Sequence, residues 1–411
     1  MDVPTSRRGL DSAMKSQLRK MWIDSIRRQV KNSKSQNSTF KLQAPKHPTL
    51  VQWITDAWFG LSEAIITNGF AKCKIVHQDE AVDETVETTE NYELDDGDTN
   101  RECHKQNGNY IASLKAGQYS TSAFHNCFRT LDQIYEFTDA LIAQNPNLPS
   151  KIAISKTYNG ATIYGYKLTK KGHSQSLYFQ AQLLAREWIA GASILFSLAS
   201  ILDDITNNKP TAADEYDLYF VPIVNIDGFE NTWNGFLERD QRKNANGVDL
   251  NRNWPSLPNP EIIHPDDDTY PGLKPFIEPE TAGINDWFKT KRNEIQGFIS
   301  VHSYMYPGLI LYPYADNDQP IGGGVDEKFD VLGLGLESVL GEYTVIPLAK
   351  NLSPSYGLFQ DYAFREFKKP ALTFEIVGDD FVVDVTTIKT HGLEVYKGIN
   401  QFAKEVTVFN G

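Results

Sequence analysis

The sequence is poor in cysteine: its 411 residues contain only Cys73, Cys103 and Cys127. No two of them form a C-x-x-C pair, which argues against a zinc site built from cysteine. At most one disulfide can form within the chain, and small buried or partly exposed thiols are the simpler interpretation.

Long apolar runs are missing from the first 30 residues, where basic side chains interrupt every apolar stretch. No segment of signal-peptide length is visible there. Residues 48–70 are more apolar, but Gln52, Asp56 and Glu63 break them, so they do not predict a membrane-spanning helix. We therefore expect a non-secreted, cytoplasmic protein, unless an upstream leader is missing from the gene model.

An excess of positive charge is also lacking. The chain has 40 Lys and Arg against 53 Asp and Glu, a formal net charge of −13. Nucleic-acid binding needs clustered basic residues, so this balance argues against it. With 40% hydrophobic and 23% charged residues, the composition is that of a soluble globular protein.

The charge is unevenly distributed. Residues 1–46 hold eleven basic and three acidic residues, and residues 79–98 hold ten acidic residues and no basic one. Apolar residues recur at helical spacing in the first segment: Met14, Leu18, Met21, Ile26 and Val30. This predicts a basic amphipathic helix, which could contact a membrane surface or a partner, or pack on its own domain. The acidic run predicts a disordered linker.

From residue 119 onward the sequence predicts an α/β domain. Helical periodicity covers residues 129–146, ending at Asn145-Pro146, and the apolar segment 189–202 is typical of a buried helix. Strand-like runs occupy residues 151–155, 161–167, 177–184, 216–224, 297–301 and 371–377. Their alternation with helices favours a mostly parallel or mixed sheet. We predict one domain at 119–411 and an N-terminal extension at 1–118.

Polar residues follow several of these strands. They are Arg186-Glu187 after residues 177–184, Arg242 and the segment 249–254 after residues 216–224, His302 to Tyr304 after residues 297–301, and Glu375 in the last strand. Ligand sites in α/β sheets form at the carboxyl ends of strands. The sequence therefore predicts that these groups converge on one crevice.

These segments resemble the zinc metallocarboxypeptidases of the M14 family, which include the pancreatic carboxypeptidases A and B. The matching stretches are AREWIAGAS, VPIVNIDGFENTW, RKNANGVDLNRNWP, EPET, FISVHSYMYPGLILYPYA and LTFEI, in the family's order. The resemblance covers about residues 119–405. It implies a mixed central sheet flanked by helices. Residues 1–118 stand where secreted members carry a prosegment, so they could be a degenerate one.

The resemblance also implies roles for single residues. Glu187 and His302 match zinc ligands, and Glu375 matches the general base that activates a zinc-bound water. Arg242 matches the arginine that polarises the scissile carbonyl. The substrate-binding positions are Asn251 and Arg252 for the terminal carboxylate, Arg186 and Tyr304 for outer subsites, and Gln360 for the base of the specificity pocket.

One ligand position departs from the family. Leu184 stands where the family has a zinc-binding histidine three residues before the glutamate. Two protein ligands would hold zinc weakly, because catalytic sites normally have three. His173 lies too far upstream to replace it, and Gln182 should point the same way as Leu184 but is a poor ligand. A remote histidine such as His264 stays open.

Three further positions matter. Asp249 matches the aspartate that orients the missing histidine, so it needs another donor or water. Ser353 falls where the family has a tyrosine that closes over substrate, and Tyr356 is a candidate replacement. Gln360 would favour a polar side chain at the peptide's C-terminus.

Three hypotheses follow. In the first, the protein is a pseudoenzyme that lost zinc and turnover but still binds peptide C-termini through Arg242, Asn251 and Arg252, or serves as an interaction module. Arg186, Arg242 and Arg252 would form a local positive pocket in the acidic domain. In the second, it is an active zinc carboxypeptidase whose metal is held by two residues and waters or by an unrecognised ligand. In the third, it is a scaffolding protein that acts through its N-terminal segment.

Overall fold

A computed structural model describes residues 96–257, 262–314, 319–351 and 354–411. The basic helix predicted in residues 1–46 lies outside this part, as do residues 79–95 of the predicted linker. The linker's last three residues, 96–98, are helical. The described α-helices are α1 (Asp96–Gln106), α2 (Leu131–Gln144), α3 (Trp188–Thr206), α4 (Ile226–Asn231), α5 (Phe236–Arg239), α6 (Pro279–Thr290), α7 (Val325–Leu340), α8 (Leu348–Asn351), α9 (Phe359–Phe367) and α10 (Ile388–Asn410).

The described strands form one mixed eight-stranded sheet in the order β1-β2-β4-β3-β5-β8-β6-β7. They are β1 (Pro149–Lys156), β2 (Thr162–Leu168), β3 (Ser176–Ala181), β4 (Asp217–Val221), β5 (Ile295–Met305), β6 (Gly308–Tyr312), β7 (Tyr343–Pro347) and β8 (Ala371–Val377). The central strands β4, β3, β5 and β8 run parallel. Their carboxyl ends therefore share one edge, as the sequence predicted for the crevice.

The strand β3 ends three residues earlier than predicted. Its last residue is Ala181, and the next residue, Gln182, has a φ of 51°. A left-handed residue ends the extended backbone and breaks the alternation of side chains. The prediction that Gln182 points the same way as Leu184 assumed a continuous strand and is wrong in its premise.

The two faces of the central strand β5 contact different helices, α10 on one side and α9 on the other. On one face, a Cβ added to Gly297 would meet Phe402 of α10 at 2.9 Å, so this helix lies directly against the sheet. On the other face, the ring of Phe298 lies 6.2 Å from Phe359 and 5.4 Å from Phe367 of α9. Because side chains alternate along a strand, His302 lies on the α9 side with Phe298.

The most apolar helix, α3, packs against α10 and against strands β3 and β5. By length and composition it could cross a membrane, but 78% of its most apolar window is buried in the fold. That burial is typical of the core helix of an α/β domain. The helix begins directly after Glu187, which occupies its N-cap position without capping it, so the carboxylate is free to reach the crevice.

Residues 96–118 join the same compact unit as the rest of the described chain. Cys103 of α1 forms a disulfide with Cys127, with the two Cα atoms 5.9 Å apart. The expectation of three free thiols is therefore wrong for this pair. The division of the chain at residues 118 and 119 stays a prediction, because most of the extension lies outside the described residues.

Candidate active site

The loops that follow β3 and β4 are held together by backbone and amide hydrogen bonds. Asn225 caps α4 by accepting from the N–H of Gly228, and its Nδ2 donates to the carbonyl oxygen of Leu183 at 3.2 Å. The N–H of Ala185 donates to the carbonyl oxygen of Arg242 at 3.1 Å. These bonds fix the positions of Arg242 and Glu187 relative to each other.

Glu187 and His302 meet in the crevice, as the sequence predicted, and they contact each other directly. Glu187 Oε2 lies 2.9 Å from His302 Nδ1, and Ser300 Oγ lies 3.0 Å from His302 Nε2. His302 is 1% exposed. Burial opposes the charged imidazole, but the nearby Glu187 carboxylate and its hydrogen bond outweigh burial and raise the pKa of His302.

Ser300, His302 and Glu187 have the hydrogen-bond order of a serine hydrolase triad. A nucleophile must, however, meet a substrate carbon, and the Ser300 side chain is completely buried. Its Oγ also accepts a hydrogen bond from Gln180 Nε2 at 3.3 Å, and Gln180 Oε1 accepts one from Tyr178 at 3.0 Å. Ser300 therefore positions His302, and Gln180 and Tyr178 extend this network along the neighbouring strand β3. The sequence had not assigned this role to Gln180 or Tyr178.

The residues present do not fit a catalytic zinc. Leu184 is 4% exposed and has no lone pair to contribute. No group of three His, Cys, Asp or Glu side chains suitable for a metal occurs within the described ranges. The candidate His264 is largely exposed and lies beside Asp266, with Nδ1 3.6 Å from Oδ2. Both ring nitrogens of His302 lie within hydrogen-bond distance of protein oxygens, and one of these belongs to Glu187, the other remaining family ligand.

Asp249, which matches the family's histidine-orienting aspartate, accepts hydrogen bonds from Arg242 here. Asp249 Oδ2 accepts from Arg242 Nε at 2.8 Å and lies 2.7 Å from Arg242 Nη2. The predicted need for another partner is thus confirmed. Burial disfavours the Arg242 charge, but Asp249 and Glu187 outweigh it and raise the pKa of Arg242. The arginine stays charged, although much of its charge is balanced.

Asn251 and Arg252 lie beside the start of α9. Asn251 Oδ1 accepts from the N–H of Phe359 at 3.0 Å, and Arg252 Nη1 donates to the carbonyl oxygen of Asn251 at 2.9 Å. Burial lowers the pKa of Arg252 from its ordinary value. Gly357, with a φ of 70°, lies so close that an added Cβ would come within 2.0 Å of the Arg252 carbonyl oxygen. The loop before α9 therefore fixes Arg252 from one side.

Glu375 occupies the strand position opposite His302 in the parallel pair β5 and β8. Parallel partners direct their side chains to the same face, so both belong to the crevice. Burial raises the pKa of Glu375 to about 7, and His302, Arg242 and Arg252 oppose that rise. A carboxyl with this pKa could exchange protons near neutral pH.

The two predicted outer-subsite residues share an aromatic neighbour. The guanidinium carbon of Arg186 lies 4.0 Å from the centre of the Phe381 ring, and the Tyr304 ring lies 4.8 Å from it. Arg186 Nη1 also pairs with Asp240 at 3.1 Å and Asp268 at 3.5 Å. Two of the three arginines of the predicted positive pocket, Arg186 and Arg242, therefore have carboxylate partners, and the pocket is less positive than the sequence suggested.

The remaining predicted positions lie around α9. Gln360, in its first turn, is 1% exposed, and neither amide atom has a hydrogen-bond partner in the part of the chain that the structure describes. Tyr356 is half-buried just before Gly357. Ser353 lies outside the described residues.

The chain is similar to known zinc carboxypeptidases. The profile of the zinc carboxypeptidase family, Peptidase_M14, matches residues 134–398. A zinc carboxypeptidase of Simulium vittatum is 28% identical over 261 residues, 61% of this chain and 85% of that protein. Carboxypeptidase A1 of Rattus norvegicus is 33% identical over 281 residues, 65% of this chain and 66% of the relative's length.

Solved structures agree on the fold. The carboxypeptidase A from Helicoverpa armigera superposes with a TM-score of 0.63 at 21% identity, covering 75% of this chain and 80% of that one. Bovine thrombin-activatable fibrinolysis inhibitor superposes with a TM-score of 0.62 at 24% identity, covering 69% and 99%.

Proposed function

Because the chain belongs to the zinc carboxypeptidase (M14) family, we propose that it is an inactive member that binds the C-termini of polypeptides without cleaving them. The observation that carries this proposal is the direct contact of Glu187 with His302, 2.9 Å apart, beside Leu184. Two ligands that bind each other, with a leucine in the third position, form a poor site for zinc. Loss of turnover follows, since the family's chemistry depends on that metal.

Binding is supported by the groups that remain. Arg252 is largely enclosed and has no carboxylate within ion-pair distance among the described residues. A guanidinium in such surroundings pairs strongly with a carboxylate. The chain's own Asp249 holds Arg242, so Arg252 is the principal site for the peptide's terminal carboxylate. Asn251, fixed to α9 through Phe359, adds an amide beside it.

Metal content tests the loss of zinc. Protein purified without chelators is analysed for metals by mass spectrometry beside the variant Leu184→His. We expect well under one zinc per chain for the natural sequence and close to one for the variant, because Leu184→His restores a third ligand. Stoichiometric zinc in the natural protein, with release of C-terminal residues from a peptide, would establish the active enzyme instead. A zinc-free Leu184→His variant would show that the site has changed beyond its ligands.

Peptide binding tests the carboxylate clamp. Fluorescence anisotropy compares one labelled peptide with a free C-terminus and with an amidated C-terminus. We expect amidation to weaken binding about 10- to 100-fold, the effect of losing a charge-assisted hydrogen bond. Arg252→Gln should abolish the difference, whereas Arg292→Gln, which removes an arginine paired with Glu366 on the surface, should preserve it. Equal affinity for both peptides would contradict the clamp and favour the scaffolding hypothesis.

An active carboxypeptidase is the second candidate, and the observation that favours it is Glu375. Its position opposite His302 and its pKa of about 7 are properties of a general base. If the natural protein releases C-terminal residues, Glu375→Gln should abolish that release while leaving peptide binding within about twofold.

A further inference from the structure

A small cavity lies outside the crevice, beneath the segment that precedes α2. Its volume is about 20 Å³, which suits one water molecule or one halide ion and excludes sulfate or phosphate. The lining is mostly apolar, with Phe124, Phe128, Trp188, Leu195, Phe229 and Ile388. Three polar side chains also line it: His125, Arg129 and Gln182.

Arg129 is a buried cation with no direct ion-pair partner among the described residues, and Glu136, which accepts a hydrogen bond from Tyr110, acts on it only from beyond ion-pair distance. It is 4% exposed, and its Nε donates to the carbonyl oxygen of Phe124 at 2.9 Å. Its Nη2 donates to the carbonyl oxygens of Ala123 at 2.6 Å and Asn107 at 3.1 Å. Within the described residues its Nη1 is buried without a hydrogen-bond partner, and no carboxylate there forms an ion pair with it. A buried charge without a direct partner is costly.

His125 supplies a second unsatisfied nitrogen. The residue is 2% exposed, and its ring lies edge-on to Phe124, Phe137 and Phe196. No described residue forms a hydrogen bond with its buried Nε2. Burial, followed by the charges of Lys389 and Arg129, lowers the pKa of His125 to about 3. The imidazole is therefore neutral and can present one N–H.

We propose that this cavity binds a monovalent halide ion, chloride under physiological conditions, through Arg129 Nη1 and His125 Nε2. The ion would supply a direct counter-charge to Arg129, closer than Glu136, and accept both unsatisfied N–H groups in surroundings that are mostly apolar. A water molecule would satisfy the hydrogen bonds but not the charge.

The position of the ion gives it a structural consequence. Arg129 donates to the carbonyl groups of Asn107, Ala123 and Phe124, and Trp188, which also lines the cavity, is the first residue of α3, directly after Glu187. Chloride would therefore stabilise the attachment of residues 107–129 to the helix that positions Glu187. This holds whether or not the crevice cleaves peptides.

Thermal unfolding of the full chain tests the proposal. Melting temperatures are measured against rising sodium chloride, sodium bromide and sodium gluconate at constant ionic strength. We expect a saturable rise of about 2–5 °C with chloride and bromide and none with gluconate, because a ligand that binds only the folded state raises its stability. Identical curves for the three salts would overturn the proposal.

Two variants and a diffraction experiment separate binding from general salt effects. His125→Phe keeps the ring contacts but removes the N–H, and should lose most of the chloride response. The surface variant Arg292→Gln should keep that response. Crystals of the natural protein soaked in sodium bromide should show an anomalous peak beside Arg129 Nη1. A cavity that holds only water in bromide would overturn the proposal, whatever the variants do.

Discussion

At the scale of single residues, Leu184 stands where the family has a histidine, and the polar residues of the crevice pair with one another. Glu187 contacts His302, and Asp249 contacts Arg242. The need of Asp249 for a new donor was predictable, because a buried carboxylate must be paired. The identity of that donor was not, because Arg242 was expected to face a substrate carbonyl. The left-handed backbone of Gln182 was also beyond prediction, since the local sequence contains no glycine to suggest it.

We predict that Asp249→Asn lowers the free energy of unfolding by about 3 kcal/mol, because it leaves Arg242 charged and unpaired in a buried position. Chemical denaturation measures this change. The matched control is Glu366→Gln, which removes the carboxylate from an exposed ion pair with Arg292 and should cost less than about 1 kcal/mol. Equal losses in the two variants would show that Arg242 does not depend on Asp249.

At the scale of elements, the sequence predicted the central strands of the sheet but missed β6 and β7, which form one of its two edges. The strand predicted at residues 371–377 coincides with β8, and the predicted helix at 129–146 contains α2, which Thr130 and Gln133 cap. Strands β6 and β7, each of five residues, were not predicted. The strand β6 pairs with β8 on one side and with β7 on the other, and these contacts are non-local. Segments this short show no periodic pattern that would predict them.

The loop before α9 offers a test of how an element positions the clamp. Gly357→Ala should lower the free energy of unfolding by more than about 2 kcal/mol, because it adds a collision with the Arg252 carbonyl to the cost of a left-handed alanine. It should also weaken peptide binding. The measurements are denaturant unfolding and the anisotropy assay with the free-carboxylate peptide.

Gly172 is the matched control for that variant. Its φ of 71° is nearly the same, but nothing lies within 4 Å of an added Cβ. Gly172→Ala should therefore show only the backbone cost, about 1–2 kcal/mol, and leave peptide binding unchanged. If both variants lose the same stability and both bind normally, the loop does not position Arg252.

At the scale of the whole molecule, the disulfide between Cys103 and Cys127 ties α1 to the body. Closing this loop should stabilise the fold by about 3 kcal/mol in the chain-entropy treatment. We predict that the double variant Cys103→Ser, Cys127→Ser unfolds at a lower temperature than the natural protein in its oxidised form. The natural protein in a reducing agent should match the variant.

The same bond bears on the compartment. Structural disulfides persist in oxidising compartments, whereas the N-terminal sequence predicted a cytoplasmic protein. We expect mass spectrometry of the protein from its native source to find Cys103 and Cys127 joined. Free thiols at both positions would favour the cytoplasmic prediction.

Stability across neutral pH depends on buried groups in several parts of the fold. Burial raises the pKa values of Glu375 and of Glu280, at the start of α6, to about 7, and the pKa of His302 is also raised. Burial lowers the pKa of His125 to about 3. Below pH 6.5 this histidine opposes the effect of the other three groups, because the unfolded histidine then binds a proton that the folded one does not.

Above pH 6.5 the opposing effect of His125 fades, because the unfolded imidazole, half protonated at its ordinary pKa of about 6.5, loses the rest of its proton by about pH 8. The folded protein still binds more protons than the unfolded chain there, since Glu375 and Glu280 keep theirs until about pH 7 while unfolded glutamates have lost them. Stability must then fall as pH rises. We predict a loss of about 2 kcal/mol between pH 6.5 and pH 8, measured by denaturant unfolding. Glu280→Gln, which keeps the shape of the side chain, should remove nearly half of that loss, and an unchanged slope in this variant would show that Glu280 is ionised in the folded protein at pH 6.5.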